Sequence, residues 1–259
     1  MLTLHWGSAS DVGRIRRHNE DNFWVSDRLF VVADGMGGHA AGEIASELAI
    51  AEFRRIAEQV PLRTEDITAA IWRANEQIVD AGSERGDRFG MGTTLTGIGV
   101  VSAGGSDHWA VFNVGDSRVY RFAGGMLSQL TVDHSEVQEL VSAGRLLPED
   151  ARHHPRRNVV TRSLGSDPAP VADVWVFPPV AGDRFLICSD GLTAELDDPE
   201  IAQILFEISD PQAAADELII RANAAGGGDN VTTVVVDLSA VSGAVEADED
   251  TSARSANPQ

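Results

Sequence analysis

The chain has 259 residues, with 20 Lys and Arg against 40 Asp and Glu, and so a formal net charge of −20. That balance argues against nucleic acid as a partner, because a nucleic-acid surface needs clustered cations to displace phosphate counterions. At 43% hydrophobic and 23% charged residues the composition is that of a globular protein long enough to bury a core without staples. The one cysteine, Cys188, excludes an intramolecular disulfide. Neither a secretion signal nor an apolar run of ~18 residues is visible, so the expectation is a cytoplasmic protein with no membrane partner.

In chain order, apolar periodicity predicts strands at Leu2 to Ala9, Asn22 to Val25 and Leu29 to Ala33, the last apolar enough to be covered on both faces. Two helices are predicted next. One runs from Ala40 to Val60, with Ala45, Leu48, Ala49, Phe53 and Ile56 on one stripe and Pro61 ending it. The other runs from Thr64 to Gly82, opened by Thr-Glu-Asp-Ile with acids in its first turn. Strands return at Thr94 to Ser102, His108 to Val114, Arg118 to Phe122 and Met126 to Leu130, joined by glycine turns that suit antiparallel hairpins. A helix from Ser135 to Ala143 leads into a polar stretch rich in Arg, His and Pro. Strands at Val171 to Phe177 and Arg184 to Cys188, helices at Pro199 to Ile208 and Pro211 to Ala224, and a strand at Val231 to Leu238 complete the pattern. Strand runs alternate with helix pairs without a strict βαβα rhythm. The fold expected is therefore α+β, two antiparallel sheets packed as a β-sandwich with α-helices on both outer faces. Residues 1–239 read as one domain and residues 240–259 as an acidic disordered tail.

The chemistry sits in aspartates at the ends of apolar strands: Leu29-Phe-Val-Val-Ala-Asp34-Gly35, Val111-Phe-Asn-Val-Gly-Asp116, Phe185-Leu-Ile-Cys-Ser-Asp190-Gly191 and Gly228-Asp229-Asn230. One such residue alone reads as an Asp-Gly turn. Four that converge would place like charges in a small volume, where only cations could hold them, and an all-oxygen donor set favours Mg²⁺ or Mn²⁺ over zinc.

A basic pair followed by an acid pair stands at Arg16-Arg-His-Asn-Glu20-Asp21. Together with Asp34-Gly-Met-Gly-Gly-His39-x-x-Gly42-Glu43, Met91-Gly-Thr-Thr94, Val114-Gly-Asp116-Ser-Arg118, Asp133-His134-Ser135, Ser189-Asp190-Gly191 and Asp229-Asn230-Val-Thr, it resembles the bacterial metal-dependent protein phosphatases of type 2C. The likeness covers residues 5 to 239. It implies hydrolysis of phosphoserine and phosphothreonine on proteins, by direct attack of a water bridging two Mn²⁺ or Mg²⁺ ions. By similarity Asp34 bridges both ions, the Gly35 carbonyl binds one, and Asp190 and Asp229 bind the other. Glu20 and Asp21 hold water around them, Asp116 with Asp190 forms a weaker third site, and Arg16 grips the phosphate.

Two departures stand out. Eukaryotic members carry a proton-donating His directly after the metal-binding Asp-Gly, where this chain has Met36. His39 is the substitute by chemistry, with a metal-bound water as the alternative. Some relatives carry a carboxylate where this chain has Ala194, which weakens the case for the third site. Arg152-His153-His154-Pro155-Arg156-Arg157 lies where the family carries a flap. It reads either as attraction for phosphopeptides or as a solvated loop pairing with acids. His134 reads as structural and Cys188 as a core thiol. The expected partners are phosphorylated substrates of Ser/Thr kinases. The other readings are a phosphatase dedicated to one phosphorylated regulator and a silent family member acting as a binding module.

Overall fold

The computed structural model describes residues 2–37, 41–84 and 90–241. Its elements are β1 (Leu2–Asp11), β2 (Asp21–Val25), β3 (Leu29–Met36), α1 (Ala41–Ile56), α2 (Thr64–Glu84), β4 (Gly92–Thr93), β5 (Leu95–Ala103), β6 (Ser106–Val114), β7 (Arg118–Ala123), β8 (Met126–Gln129), α3 (Glu136–Ser142), α4 (Pro148–Ala151), β9 (Asp173–Phe177), β10 (Arg184–Cys188), α5 (Asp190–Glu195), α6 (Asp198–Glu207), α7 (Pro211–Ala225) and β11 (Val231–Val241). One sheet runs β1-β11-β10-β7-β8 and the other β2-β3-β5-β6-β9, with β4 added against β3.

Alternation along each strand sorts side chains into three layers. Phe30 and Val32 of β3, Phe185 and Ile187 of β10, and Val234 and Val236 of β11 meet between the sheets. There Trp109 and Phe185 pack edge to face with ring centroids 5.0 Å apart. The opposite parity of β3, Leu29, Val31 and Ala33, packs under α1 and α2. Leu186 and Cys188 of β10 face Leu218 and Ile219 of α7. The helices therefore lie on both outer faces of a sandwich, as the sequence pattern predicts.

The structure moves some boundaries. Helix α1 ends at Ile56, four residues before the predicted Val60. Val60 is exposed, so no burial holds the last turn, and the Pro61 ring disfavours helical geometry just before it. The start predicted at Ala40 lies outside the described residues. Strand β11 continues through Ala240 and Val241, paired with Thr3 and Leu2, so residues 240 and 241, predicted as tail, belong to the sheet. Residues 242–259 lie outside the described residues. Among the described residues no helix is long and apolar enough to cross a membrane.

Candidate active site

The parity that fills the sandwich also builds its acidic end. Continuing from Phe30 and Val32, the next residue on the inter-sheet side of β3 is Asp34, and on β2 the parity of Phe23 and Val25 gives Asp21. The register sets these two carboxylates directly opposite each other, a pairing that like charges disfavour. Their backing comes from the other sheet. Ser189 Oγ, just past β10, and Thr232 Oγ1, on the inward side of β11, donate to Asp21 Oδ2 over 2.7 and 2.8 Å. Asp21 Oδ1 is enclosed without a hydrogen-bond partner.

The backbone around Asp34 is clamped. Its N–H donates to Thr94 Oγ1 at 3.0 Å, and its carbonyl accepts from the Thr94 N–H at 2.8 Å and from Thr93 Oγ1 at 2.9 Å. Thr94 Oγ1 also contacts Ser117 Oγ at 2.7 Å, which links Asp34 to the turn that carries Asp116. Gly35 permits a close crossing of chains. A Cβ there would lie 2.2 Å from the Gly42 carbonyl and 2.5 Å from that of Glu20. Asn230 fastens the segment bearing Arg16 and Glu20: its Oδ1 accepts from the Glu20 N–H at 2.8 Å, and its Nδ2 donates to the Val12 and His18 carbonyls at 3.0 and 2.9 Å.

Asp34, Asp116, Asp190, Asp229, Glu20, Gly35 and Arg16 all line one pocket of about 240 Å³. Asp34 and Asp190 keep one side open to it and are otherwise enclosed by protein. Burial, and then the Asp21, Asp190, Asp116 and Asp229 carboxylates, push Asp34 well above the usual carboxylate range. Burial followed by Asp190 and Asp133 does the same to Asp116. Asp190 is raised by burial and by Asp229, and Asp21 is pushed up to about 7, again chiefly by burial. Glu20 is raised by burial as well. The one cation lining this pocket among the described residues is Arg16, whose Nη2 lies 2.6 Å from Asp229 Oδ2 while its side chain stays 54% exposed.

A chain that gathers like charges this way calls for positive charge from outside. The donors are carboxylate and carbonyl oxygens, and one buried carboxylate oxygen has no partner. That chemistry fits hard divalent cations. Among the described residues no three acidic, His or Cys side chains already form a closed cage. Cations here would complete their shells with water and backbone oxygen, as Mg²⁺ in particular does.

The structure thus brings together Arg16, Glu20, Asp21, Asp34, Gly35, Asp116, Asp190 and Asp229 as the sequence predicts. His39 lies outside the described residues. Met36 lines the pocket and has no proton to give. Thr94, Ser117, Ser189, Asn230 and Thr232 were not among the predicted site residues. Each holds an acid or its loop through a partner distant in the chain; all five stand inside the motifs that carry the family resemblance, which mark the stretch but not the partner each side chain holds. A second groove, of about 380 Å³, shares Asp116, Asn158 and Asp190 with the first and is bounded by Arg152, Arg157 and Ala194. Of the basic segment beside it, Arg156 pairs with Glu136, so that part of the stretch behaves as a loop tied to acids.

Residues 16–221 match the family model described as protein phosphatase 2C. Among curated proteins the chain is 38% identical over 245 residues to the serine/threonine phosphatase stp of Listeria monocytogenes, covering 90% of this chain and 96% of that one. It is 40% identical over 240 residues to the serine/threonine protein phosphatase PstP of Mycobacterium tuberculosis, covering 92% of this chain and 45% of that one. Among solved structures, the catalytic domain of PstP in complex with two manganese ions superposes with a TM-score of 0.84 at 37% identity, over 93% of this chain and all (100%) of that one. The phosphatase MsPP of Mycobacterium smegmatis in complex with cacodylate gives 0.81 at 37% identity, over 90% of this chain and 98% of that one.

Proposed function

The chain belongs to the protein phosphatase 2C family and is a metal-dependent serine/threonine protein phosphatase, and from that premise we propose which of its residues carry the reaction. Asp34, Asp190, Asp229 and the Gly35 carbonyl would hold two Mn²⁺ or Mg²⁺ ions. Asp116 with Asp190 would hold a weaker third, and Glu20 and Asp21 would order the surrounding water. When bound, the cations supply Lewis acidity and bring water toward deprotonation near neutral pH. The manganese complex of PstP supports the metal, and the complex of MsPP with cacodylate, a tetrahedral oxyanion, supports an anion site in the fold.

The chain's own residues do the rest. Five carboxylates around one small pocket exclude a phosphate dianion until their charge is neutralised, so phosphate and cation binding are linked. Arg16 stands at the rim with a guanidinium able to take two phosphate oxygens at once, which orients phosphorus for in-line attack. The observation that carries the reading is this cluster of acids, held in place by hydrogen bonds and short of internal cations. The substrates proposed are cytoplasmic proteins phosphorylated by Ser/Thr kinases, and the catalytic domain is taken as residues 1–241. Assay of the purified protein on p-nitrophenyl phosphate and on phosphoserine, phosphothreonine and phosphotyrosine peptides, with and without Mn²⁺, tests it. Turnover should require Mn²⁺ and favour phosphoserine and phosphothreonine. Equal turnover after chelation would reject the residue assignment.

A further inference from the structure

The Asp133-His134-Ser135 segment plays no part in the chemistry assigned so far, yet it touches both sides of the cleft. We propose that His134 is a positioning residue, one that aims Asp116 into the pocket and ties it to the segment around Val160 that walls the pocket. The inference rests on the reading of Asp116 as a ligand of the weaker third cation.

Asp116 follows Gly115 in the turn between β6 and β7, and His134 holds that glycine at both ends. The Gly115 N–H donates to His134 Nδ1 at 3.0 Å, and the Gly115 carbonyl accepts from the His134 N–H at 2.9 Å. Asn113 Nδ2 adds a third bond to the same carbonyl, at 3.0 Å. Gly115 sits at φ +115, and a Cβ on it would lie 2.6 Å from Thr94 Cβ. The turn is thus narrow and left-handed, and the Asp116 side chain follows its orientation. Asp116 is 7% exposed and His134 5%.

A backbone amide can only donate, so Nδ1 must be the bare nitrogen of the ring and the proton belongs on Nε2. From there it reaches Asp173 Oδ2 at 3.1 Å. Arg162 Nη1 also lies 3.1 Å from Nε2, where two donors cannot bond, and it is held instead by Asp173 Oδ1 at 3.3 Å. On the other side, the His134 carbonyl accepts from the Thr161 N–H at 2.8 Å, Ser135 bridges to Val160, and the Glu136 N–H donates to the Val159 carbonyl at 2.9 Å. Residues 158 and 160 line the pocket. The neighbouring Asp133 cannot take over, because Arg118 engages both its oxygens at 2.9 and 2.7 Å. An apolar side chain could fill the ring's volume, but it would leave the Gly115 N–H without an acceptor.

Two isosteric variants separate direction from packing. His134→Asn can place its amide oxygen where Nδ1 stands, whereas His134→Gln reaches toward Asp173 and offers Gly115 nothing. Each full-length variant, with Asp116→Asn as reference, is measured for kcat and KM on a phosphopeptide across Mn²⁺ concentration, for Mn²⁺ binding by electron paramagnetic resonance, and for melting temperature. His134→Gln should copy Asp116→Asn: the weakest Mn²⁺ step weakens by ~10- to 100-fold, the range for residues that orient ligands, and kcat falls with KM little changed. His134→Asn should recover most of both. Wild-type Mn²⁺ binding in His134→Gln, or loss of the weak step in His134→Asn even where His134→Gln does not fold, would overturn the inference. If Asp116→Asn itself left Mn²⁺ binding and kcat unchanged, the ligand reading of Asp116 would be the part that failed.

Discussion

Asp183 and Asp237 on the flank of the molecule and Asp21, Asp34, Asp116 and Asp190 at the end of the sandwich are the same residue type in opposite circumstances. On the flank each acid has an internal cation. Arg121 meets Asp183 at 2.7 Å, and Arg184 meets both oxygens of Asp237 at 2.6 and 2.7 Å while also donating to the carbonyls of Leu205, Ile208 and Ser209. Glu52 follows the same rule. Burial pushes it up, but hydrogen bonds from Arg73, Arg55 and Gln77 outweigh that and hold it below the ordinary carboxylate range. At the sandwich end, burial and mutual repulsion raise every one of the four. Where the chain supplies the cation, the acid is architecture; where it supplies too little, the proposed function gives the acid to a cation from solution.

The largest effects should come from the unpaired set. Asp34→Asn or Asp190→Asn should lower turnover at saturating Mn²⁺ by ~10³-fold or more, at least what one preorganised electrostatic group supplies, with the fold retained. Wild-type-like kcat in either variant would dissolve the contrast. The same set makes stability depend on pH in a defined direction. Its folded pKa values lie above the unfolded carboxylate value, so its contribution is fully present below about pH 4 and is lost as pH rises through the folded values, near 7 for Asp21. Calorimetry of the metal-free protein should show a higher melting temperature at pH 5 than at pH 8. Mn²⁺ should raise it more at pH 8, and Asp21→Asn should flatten the slope. Glu52 runs the other way, its contribution being lost as pH falls. A metal-free protein more stable at pH 8 than at pH 5 would contradict the reading.

Arg184→Ala should destabilise by about 3–5 kcal/mol by stranding Asp237 and three carbonyls, with kcat per folded molecule unchanged. Urea titration beside active-site counting would separate the two. Arg16→Ala comes next, because Arg16 straddles the two sets: it is an internal cation on a cleft acid. Loss of a charge-assisted bond worth about 1.5–3 kcal/mol corresponds to roughly 10- to 200-fold in kcat/KM. Freeing Asp229 should leave Mn²⁺ affinity equal or tighter, so abolished binding would show that Arg16 braces the metal site instead. Smallest of all, truncation after Val241 should move stability by less than ~0.5 kcal/mol, and a larger drop would assign the remaining acids to one of the two sets.

Much of this was legible in the sequence, for reasons that can be located. Strands such as Leu29–Met36 are runs long enough for alternation to show, and the parity that places Phe30 and Val32 between the sheets carries on to Asp34. What escaped was short or nonlocal. Strand β4 has two residues and α4 has four, below any period. Helix α5 starts on Asp190 itself, so the apolar run before it masked the change of geometry. Thr232 and His134 both stand inside recognisable motifs, but neither motif tells that the Thr232 hydroxyl lies against Asp21, 211 positions away, or that a ring nitrogen of His134 accepts from the Gly115 N–H.

The first and last strands, β1 and β11, lie side by side along ten residues or more, and the cleft takes Arg16 and Asp21 from one end of the chain and Asp229 and Thr232 from the other. During synthesis the early acids leave the ribosome long before their backing exists. Asp21 meets its first hydroxyl only at Ser189, 168 residues later, and its second at Thr232, while Arg16 has no carboxylate until more than 200 further residues have been made. Contacts of such separation are slow to form. If the proposed site residues carry the reaction, a chain that stops short of β11 lacks these contacts, and activity is expected only once that strand has been made.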